Sequence, residues 1–563
     1  MTATEYPNTS PDPGSGVSTP NSLEKKALAE QLGDVHMNIL PPKKLIICLA
    51  AMSLGLFISF SDQTSITVAL PNIASDLNAE TTINWAGTSA LLANTVFQVL
   101  FGRLSDIFGR KTVLMTCLAI LAISDLACGF AQTGVQFFIF RAFAGIGNGG
   151  IQSLTMVIMS DIVTLKQRGK YQGILGAQVG LGNAIGPFIM AGFIKHSKWR
   201  NFYYMMTPLV CLVAITIFIL VKNDSTKNNL DNVLSNREKF KNIDYFGLIF
   251  SSAALTLLLI PISGGGSTYA WNSTIVIVMF IIGTLCLCGF LFIEWKVSRL
   301  PMIPLRLFKH LSLSQVLLSN FLFGMAYYGF LYYMPYYFQI VRNLDVIVST
   351  VFLLPLVLMQ SIISIVSGQV ISYTGHYLPT IICGYVLWTL SCGLLLLWDT
   401  NTNYGAIAVI LFIMGCGVGC TFQPTMIAAQ AQARRSERAV VISTRNVIRS
   451  FGGAVGVAMG SLIVSNSLLK EITKAEASPQ DYGNIPQSYL LYFKAHLYNR
   501  IEMTGISETQ AHFIRKMYMK SIRDFFYLTI PLIGICLIST LVVKDTGLQC
   551  IDEKRPELEE KKE

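Results

Sequence analysis

Gly102-Arg103-Leu104-Ser105-Asp106-Ile107-Phe108-Gly109-Arg110-Lys111 lies between two apolar runs, one ending near Phe101 and the next beginning near Thr112. A polar decapeptide so placed is the turn of a membrane hairpin, with its charges at a membrane face. Its two glycines, seven residues apart, permit a tight turn and close backbone approach. Asp106 sets an anion at a helix end, and Arg110 with Lys111 marks the cytoplasmic side.

The surrounding chain agrees. Its 563 residues are 52% hydrophobic and 13% charged, and the mean hydropathy of +0.53 is that of a polytopic membrane protein rather than a soluble one. The formal charge of +10 comes from Lys and Arg in short loops beside apolar spans, where orientation in the bilayer explains it and a nucleic-acid partner is not needed. Most of the 12 cysteines, such as Cys117, Cys128, Cys211, Cys286, Cys288, Cys383 and Cys392, fall inside apolar runs without metal-ligand spacing. Cys416 and Cys420 sit among Gly415, Gly417 and Gly419, a pattern of close helix packing. No phosphate-binding loop ends in Gly-Lys-Ser or Gly-Lys-Thr. The expectation is therefore a gradient-driven transporter, with no cofactor or metal and no enzymatic domain.

Residues 1–43 read as a disordered cytoplasmic tail, 44–222 as a six-helix bundle, and 223–243 as a cytoplasmic loop. Residues 244–311 hold two inserted spans and a following loop. A second six-helix bundle occupies 312–543, with an external loop at 466–523 that includes a short amphipathic helix near Tyr489 to Tyr498, and 544–563 is a cytoplasmic tail. The fold class is all-α and polytopic, with about fourteen spans and both termini in the cytoplasm.

The two bundles are copies. Gly368-Gln-Val-Ile-Ser372-Tyr-Thr-Gly375-His376-Tyr377 matches the opening decapeptide glycine for glycine, 266 residues later. GIGNGGIQSLTM from Gly145 parallels GCGVGCTFQPTM from Gly415, and GNAIG from Gly182 parallels GGAVG from Gly452, both offset by 270. Two parallel six-helix repeats are a transporter architecture.

All six histidines lie in tails, loops or span ends, so a proton site within the bilayer has to use carboxylates. An ionisable side chain in mid-span costs roughly 3 kcal/mol, which makes Asp62, Asp125 and Arg141 functional candidates. At 1.5 Å per residue Asp62 and Arg141 stand roughly 26 Å above the cytoplasmic face and Asp125 roughly 20 Å, so the three are able to meet. A structural ion pair is the competing explanation. Repeat positions place Tyr328, Ser391 and Leu411 where the first half has Asp62, Asp125 and Arg141. The ninth span is aromatic: its later rings suit an external interface belt, while Tyr327 and Tyr328 lie deeper and, with Gln339, are the candidate cavity residues. The fifth span carries Gly176, Gly180, Gly182, Gly186, Pro187 and Gly192, an array that permits tight packing and a bend.

The decapeptide resembles the signature loop of the major facilitator superfamily. Ser61-Asp62-Gln-Thr64 followed by Ala69-Leu70-Pro71 is similar to the first-span motif of its fourteen-span drug:proton antiporters. Arg141 with Gly145 resembles their fourth-span motif, and Gly182, Gly186 and Pro187 their fifth-span motif. Trp199-Arg200, Trp271-Asn272, Pro335 with Gln339, Gln430-Ala431 and Arg449 through Gly453 extend the resemblance over nearly all spans. It departs at Met190 and Ala191, where paired glycines are usual, and at Arg103. The resemblance implies a proton-coupled exporter of amphipathic or cationic small molecules, and the chain is expected to be a monomer in the lipid bilayer. Asp62, Arg141 and Asp125 would handle protons, Gly102, Asp106, Gly109 and Arg110 would latch one state, and Gly182, Gly186 and Pro187 would hinge. In the second copy Ser372 and His376 replace Asp106 and Arg110, implying an asymmetric latch. The expected site is the plasma membrane, with the vacuolar membrane as the alternative. Transport of basic amino acids, or nutrient sensing without transport, are the rival functions.

Overall fold

The computed structural model describes residues 42–79, 82–83, 85–163, 165–220, 244–264, 270–298, 302–303, 305–433, 437–483, 485–495, 507–545 and 547–548. The tails and the 223–243 loop expected from the sequence fall almost entirely outside them. Apolar runs of spanning length have to satisfy every backbone group internally, so they form helices. The first half contains α1 (Pro42–Asp76), α2 (Trp85–Phe108), α3 (Arg110–Phe130), α4 (Gly134–Ile162), α5 (Leu165–His196) and α6 (Arg200–Leu220). The inserted pair is α7 (Tyr245–Gly264) and α8 (Thr274–Phe292). The second half contains α9 (Leu311–Tyr336), α10 (Val346–Val351), α11 (Leu354–Thr374), α12 (Leu378–Leu395), α13 (Tyr404–Phe422), α14 (Pro424–Ala431), α15 (Arg438–Ala477), α16 (Gln487–Ala495) and α17 (Glu508–Val542).

Two spans are interrupted, one near its start and one towards its end. Pro355 and Pro424, lacking an N–H, each begin a new helix, so α10 with α11 and α13 with α14 are single crossings. Among the described residues, 12 crossings are long and apolar enough to traverse a membrane. The 24-residue α2 and 26-residue α9 are also long enough but more polar, carrying Asn94 and Gln98, and Asn320 with several tyrosines.

The end of the bundle that carries Gly109 and Gly375 is here called basal, the opposite end apical. At the basal end α2 does not stop at Phe101. It continues through the expected loop to Phe108, and Gly109 alone makes the turn, at φ 92°. The polar residues find partners inside the helix: Arg103 pairs with Asp106 at 3.3 Å and Ser105 Oγ donates to the Gly102 carbonyl at 2.7 Å. Gly375 ends α11 at φ 76°, as the repeat implies.

Two seams join the halves, α2 against α15 and α5 against α11. A Cβ on Gly102 would collide with Ser443, and one on Gly368 with the Gly169 carbonyl and the Gly173 Cα. Positions 439 and 443 are the repeat equivalents of 169 and 173 (439 − 270 = 169; 443 − 270 = 173). The seams are therefore copies of one contact, and both are closed at the basal end. The inserted α7 and α8 pack on each other and, through α7, on α2 and α15.

At the apical end, the described residues of the expected loop 466–523 are largely helical. The 40-residue α15 and 35-residue α17 extend well beyond a bilayer core. Glu471 clasps them, accepting from Lys474 and Lys520, each at 2.8 Å.

Gly368→Ala is expected to force α5 from α11 and cost this closed state about 1–3 kcal/mol, read as a lower thermal-unfolding midpoint of the purified protein. Gly393→Ala, where nothing lies within 4 Å of the added carbon, is the control and should leave the midpoint in place or raise it.

Candidate functional site

Asp62 and Arg141 meet. Arg141 Nη1 donates to Asp62 Oδ1 at 2.6 Å, Nη2 to the Asp62 carbonyl at 3.4 Å, and Asn148 Nδ2 to Asp62 Oδ2 at 2.8 Å. All three side chains are fully buried. Gly182 and Gly186 of α5 let that helix press onto α1 beside them: a Cβ would strike the Phe57 carbonyl at Gly182 and the Ser61 backbone at Gly186. Pro187 follows inside α5. The glycines thus set the approach of α5 to the helix that carries Asp62.

On the apical side the Arg141 guanidinium lies over the Tyr203 ring at 5.9 Å. Tyr203 packs edge-on against Phe137, Trp199 and Phe202. Trp199 Nε1 donates to Asp76 Oδ2 at 3.0 Å, and Arg200 pairs with the same carboxylate. The Arg200 hydrogen bond holds the Asp76 carboxyl below its ordinary range. The clasp is therefore intact above that range and loosens only as pH falls through the depressed value; being half exposed, it contributes under about 1 kcal/mol.

A polar ladder leads basally. Gln152, one turn from Asn148 on α4, donates to Ser59 Oγ at 3.1 Å and accepts from Gln98 at 3.1 Å, and Gln98 also donates to Asn94 at 2.9 Å. Gln152 borders a small central cavity between the halves, with Leu56, Phe60, Met156 and Val179 from the first half and Phe422, Gln423, Met426, Arg445, Asn446 and Arg449 from the second.

The two arginines are one helical turn apart on α15, and each is buried. Arg445 donates to the Phe422 carbonyl, to Thr425 Oγ1 at 3.1 Å and to Asn446 Oδ1 at 3.2 Å. Arg449 lies over the Phe422 ring at 4.5 Å, and its Nε and Nη1 have no hydrogen-bond partner. Neither guanidinium forms an ion pair among the described residues. Sequence reasoning missed both as site residues. The available signal was position: Arg449 is eleven residues into α15, about 16 Å along the helix, where an ionisable group is costly.

The other candidates divide. Asp125 is fully buried, within electrostatic reach of Asp62 and Arg141, and neither of its oxygens has a partner. Asp106 binds Arg110, which also donates to Asp161 at 3.0 Å. In the second copy Ser372 Oγ accepts from the Lys170 amide at 3.0 Å, and His376 faces Asp545 at 3.2 Å. Tyr327 is buried and donates to Gln360 Oε1 at 2.8 Å, while Tyr328 abuts Gly453. Neither borders the central cavity, and Gln339 lies in a π-helical turn, Tyr337–Val341, at the far apical end of α9. The span between them is too long for one site. Tyr333, Tyr337 and Phe338, expected at an interface belt, are buried, with Tyr337 against Trp398 at 4.9 Å; Tyr332 is the exposed one of this group. Among the described residues no group of three metal-ligating side chains occurs.

A many-helix bundle made of two repeats, closed basally by copied seams around a central cavity, has the build of a secondary transporter. Residues 52–457 match the Major Facilitator Superfamily, and the chain belongs to that family. It is 44% identical to Citrate exporter 1 of Yarrowia lipolytica over 558 residues, covering 99% of this chain and 80% of the relative. It is 32% identical to Efflux pump dotC of Dothistroma septosporum, over 76% of this chain and 73% of that one. The MFS-type efflux pump MMF1 of Pseudozyma antarctica is 28% identical over 91% and 93%. Among solved structures, the proton:xylose symporter XylE superposes with a TM-score of 0.57 at 12% identity, over 91% of this chain and 99% of that chain. The human organic anion transporter MFSD10 gives 0.54 at 14%, over 88% and 100%. These two likenesses concern the fold. The chain is a multi-pass membrane transporter of the fungal efflux type that takes small molecules.

A double-mutant cycle on Asp62→Asn and Arg141→Gln, read by thermal unfolding, should give a coupling of about 2–3 kcal/mol. A coupling near zero would refute the pair as a structural tie.

Proposed function

We propose that this protein is a proton-coupled exporter of polycarboxylate anions, working by alternating access from a cytoplasmic basal end. The observation that carries the substrate class is the pair Arg445 and Arg449. They are the charged residues bordering the central cavity, and Arg449 keeps two N–H groups unpaired. A guanidinium fork matches a carboxylate in a bidentate way, and two forks one turn apart suit two carboxylates of one molecule. The name of the relative at 44% identity, a citrate exporter, supports the same class. Cationic drugs and basic amino acids, the cargo expected from the resemblance, would meet like charge here.

In this reading the anion neutralises two cations that repel each other when the cavity is empty. That relief lets α15 settle against α2 and α5 against α11, closing the basal seams behind the cargo. Asp106, Arg110 and Asp161 latch the closed arrangement on the first-half side, and His376 with Asp545 does so more loosely on the other. The α5 glycines at 182 and 186, with Pro187, let α5 rock on α1 as the apical side opens. Gln152 borders the cavity and lies one turn from Asn148, so anion binding and the Asp62 cluster share a rigid helix. Protons entering at that cluster drive the anion outward across the plasma membrane.

The test is radiolabelled citrate flux in liposomes containing the purified protein, with and without an imposed pH gradient. Gradient-dependent citrate movement is expected, and a cationic dye should not replace it; the reverse preference overturns the proposal. Arg449→Gln should reduce citrate flux about tenfold or more, equivalent to ~1.4 kcal/mol or above. Its thermal midpoint should stay the same or rise, because an unpaired cation has left the membrane interior. A fall in both would mark Arg449 as structural.

A further inference from the structure

Two carboxylates and one guanidinium share the buried cluster of the first half, and the two acids are not equivalent. Asp62 has every acceptor engaged: Oδ1 by Arg141, Oδ2 by Asn148, and its carbonyl by Arg141 and Ser65. Asp125 has no partner for either oxygen, although it is fully buried. An ionised carboxylate in hydrocarbon with no donor is far costlier than a neutral acid in the same place. The single cation of the cluster is already matched by Asp62.

The groups facing Asp125 can be named. Asp62 comes from α1, Arg141 from α4, Tyr203 from α6 and Cys128 from α3 itself, all mutually within electrostatic reach. α2 carries its own charges, Arg103 and Asp106, in its basal turns. Two donors of the cluster are unpaired: Arg141 Nε–H and the Tyr203 hydroxyl. An ionised Asp125 needs such donors, and nothing else in the cluster competes for them.

We infer that Asp125 is the proton-carrying group of the transporter and that Asp62 is the fixed counter-ion of Arg141. In the arrangement described, Asp125 holds the proton. On release its O–H bond breaks, the electron pair stays on the carboxylate, and the proton passes to water on whichever side is open. The new anion takes hydrogen bonds from Arg141 Nε–H and from Tyr203, which turns the guanidinium without detaching it from Asp62. Because Asn148 and Arg141 lie on α4 with Gln152, that turn is felt at the anion cavity. Asp125 thereby sets when the α4 wall of the cavity shifts.

This assignment rests on the proton-coupled reading above. The experiment compares wild type, Asp125→Asn and Asp125→Glu in liposomes by two measurements: pH-step difference infrared spectra of the protonated-carboxyl C=O band, and citrate flux with and without a pH gradient. Asp125→Asn should lose the titrating band, keep citrate counterflow in the absence of a gradient, and lose at least tenfold of the gradient's stimulation. Asp125→Glu should restore a band at a shifted frequency together with part of the stimulation. A band that persists unchanged in Asp125→Asn, or stimulation equal to wild type, overturns the assignment. If Asp125→Asn does not fold, the Glu variant decides alone, since an unshifted band refutes the proposal. A wild type without gradient-driven citrate flux would refute the transport reading instead, and the infrared comparison, which needs no substrate, would still decide the role of Asp125.

Discussion

A guanidinium with no access to water has to be answered by an anion, and Arg141 is such a group. Its whole side chain is buried in α4 at 0% exposure, so Asp62 must stand where it does, and α1 must cross α4 at the height that brings a carboxylate to 2.6 Å. The rest of the first half accommodates that crossing. Asn148 occupies the second carboxylate oxygen, glycines on α5 let a third helix reach α1 at the same level, and the rings of Phe137, Trp199, Phe202 and Tyr203 keep water from the apical side. An ion pair of this kind contributes little net stability over an apolar core, but losing either partner is expensive, so the helix register is specified by the penalty for being wrong.

Much of this was legible in the chain because membrane proteins obey few rules strictly. Span length, charge asymmetry and the glycine-for-glycine repeat give the bundle, and axial height alone brings Asp62 and Arg141 together. The basal turn was harder to read. Polar residues ordinarily mark a loop, whereas Arg103, Ser105 and Asp106 satisfy one another along a helix that continues to Phe108. Arg445 and Arg449 were obscured by proximity to a basic connection, Arg434 to Arg438, whose charges read as orientation signals. The aromatic run of α9 misled for a different reason: consecutive rings point in all directions around a helix, so most of them are packed inside and Gln339 falls a bilayer leaflet away from Tyr327.

The two halves are copies in backbone and opposites in charge. Asp62, Asp125 and Arg141 have Tyr328, Ser391 and Leu411 at their repeat positions, and Arg445 and Arg449 have Leu175 and Val179 (445 − 270 = 175; 449 − 270 = 179). Val179 and Arg449 even border the same cavity from opposite sides. Symmetry supplies two equivalent seams, both at the basal end. The buried acids with their arginine stand in one bundle and the two cavity arginines in the other, so under the proposed function acid–base chemistry and anion recognition are divided between the halves. The inserted pair packs, through α7, on the seam of α2 with α15, adding a further asymmetry to the same device.

The helix that bears both cavity arginines is also the longest described, running 40 residues from Arg438 to Ala477. At 1.5 Å per residue it measures about 60 Å, roughly twice the thickness of a bilayer core, and its far portion is fastened to α17 through Glu471 and Lys520. It is a lever with its load near the basal end and its long arm, tied to α17, at the apical end. A tilt too small to see beside Arg445 becomes a displacement of the Glu471 clasp, amplified by the ratio of the arms. The apical end of α15 therefore moves with, and offers a handle over, the segment that carries Arg445 and Arg449.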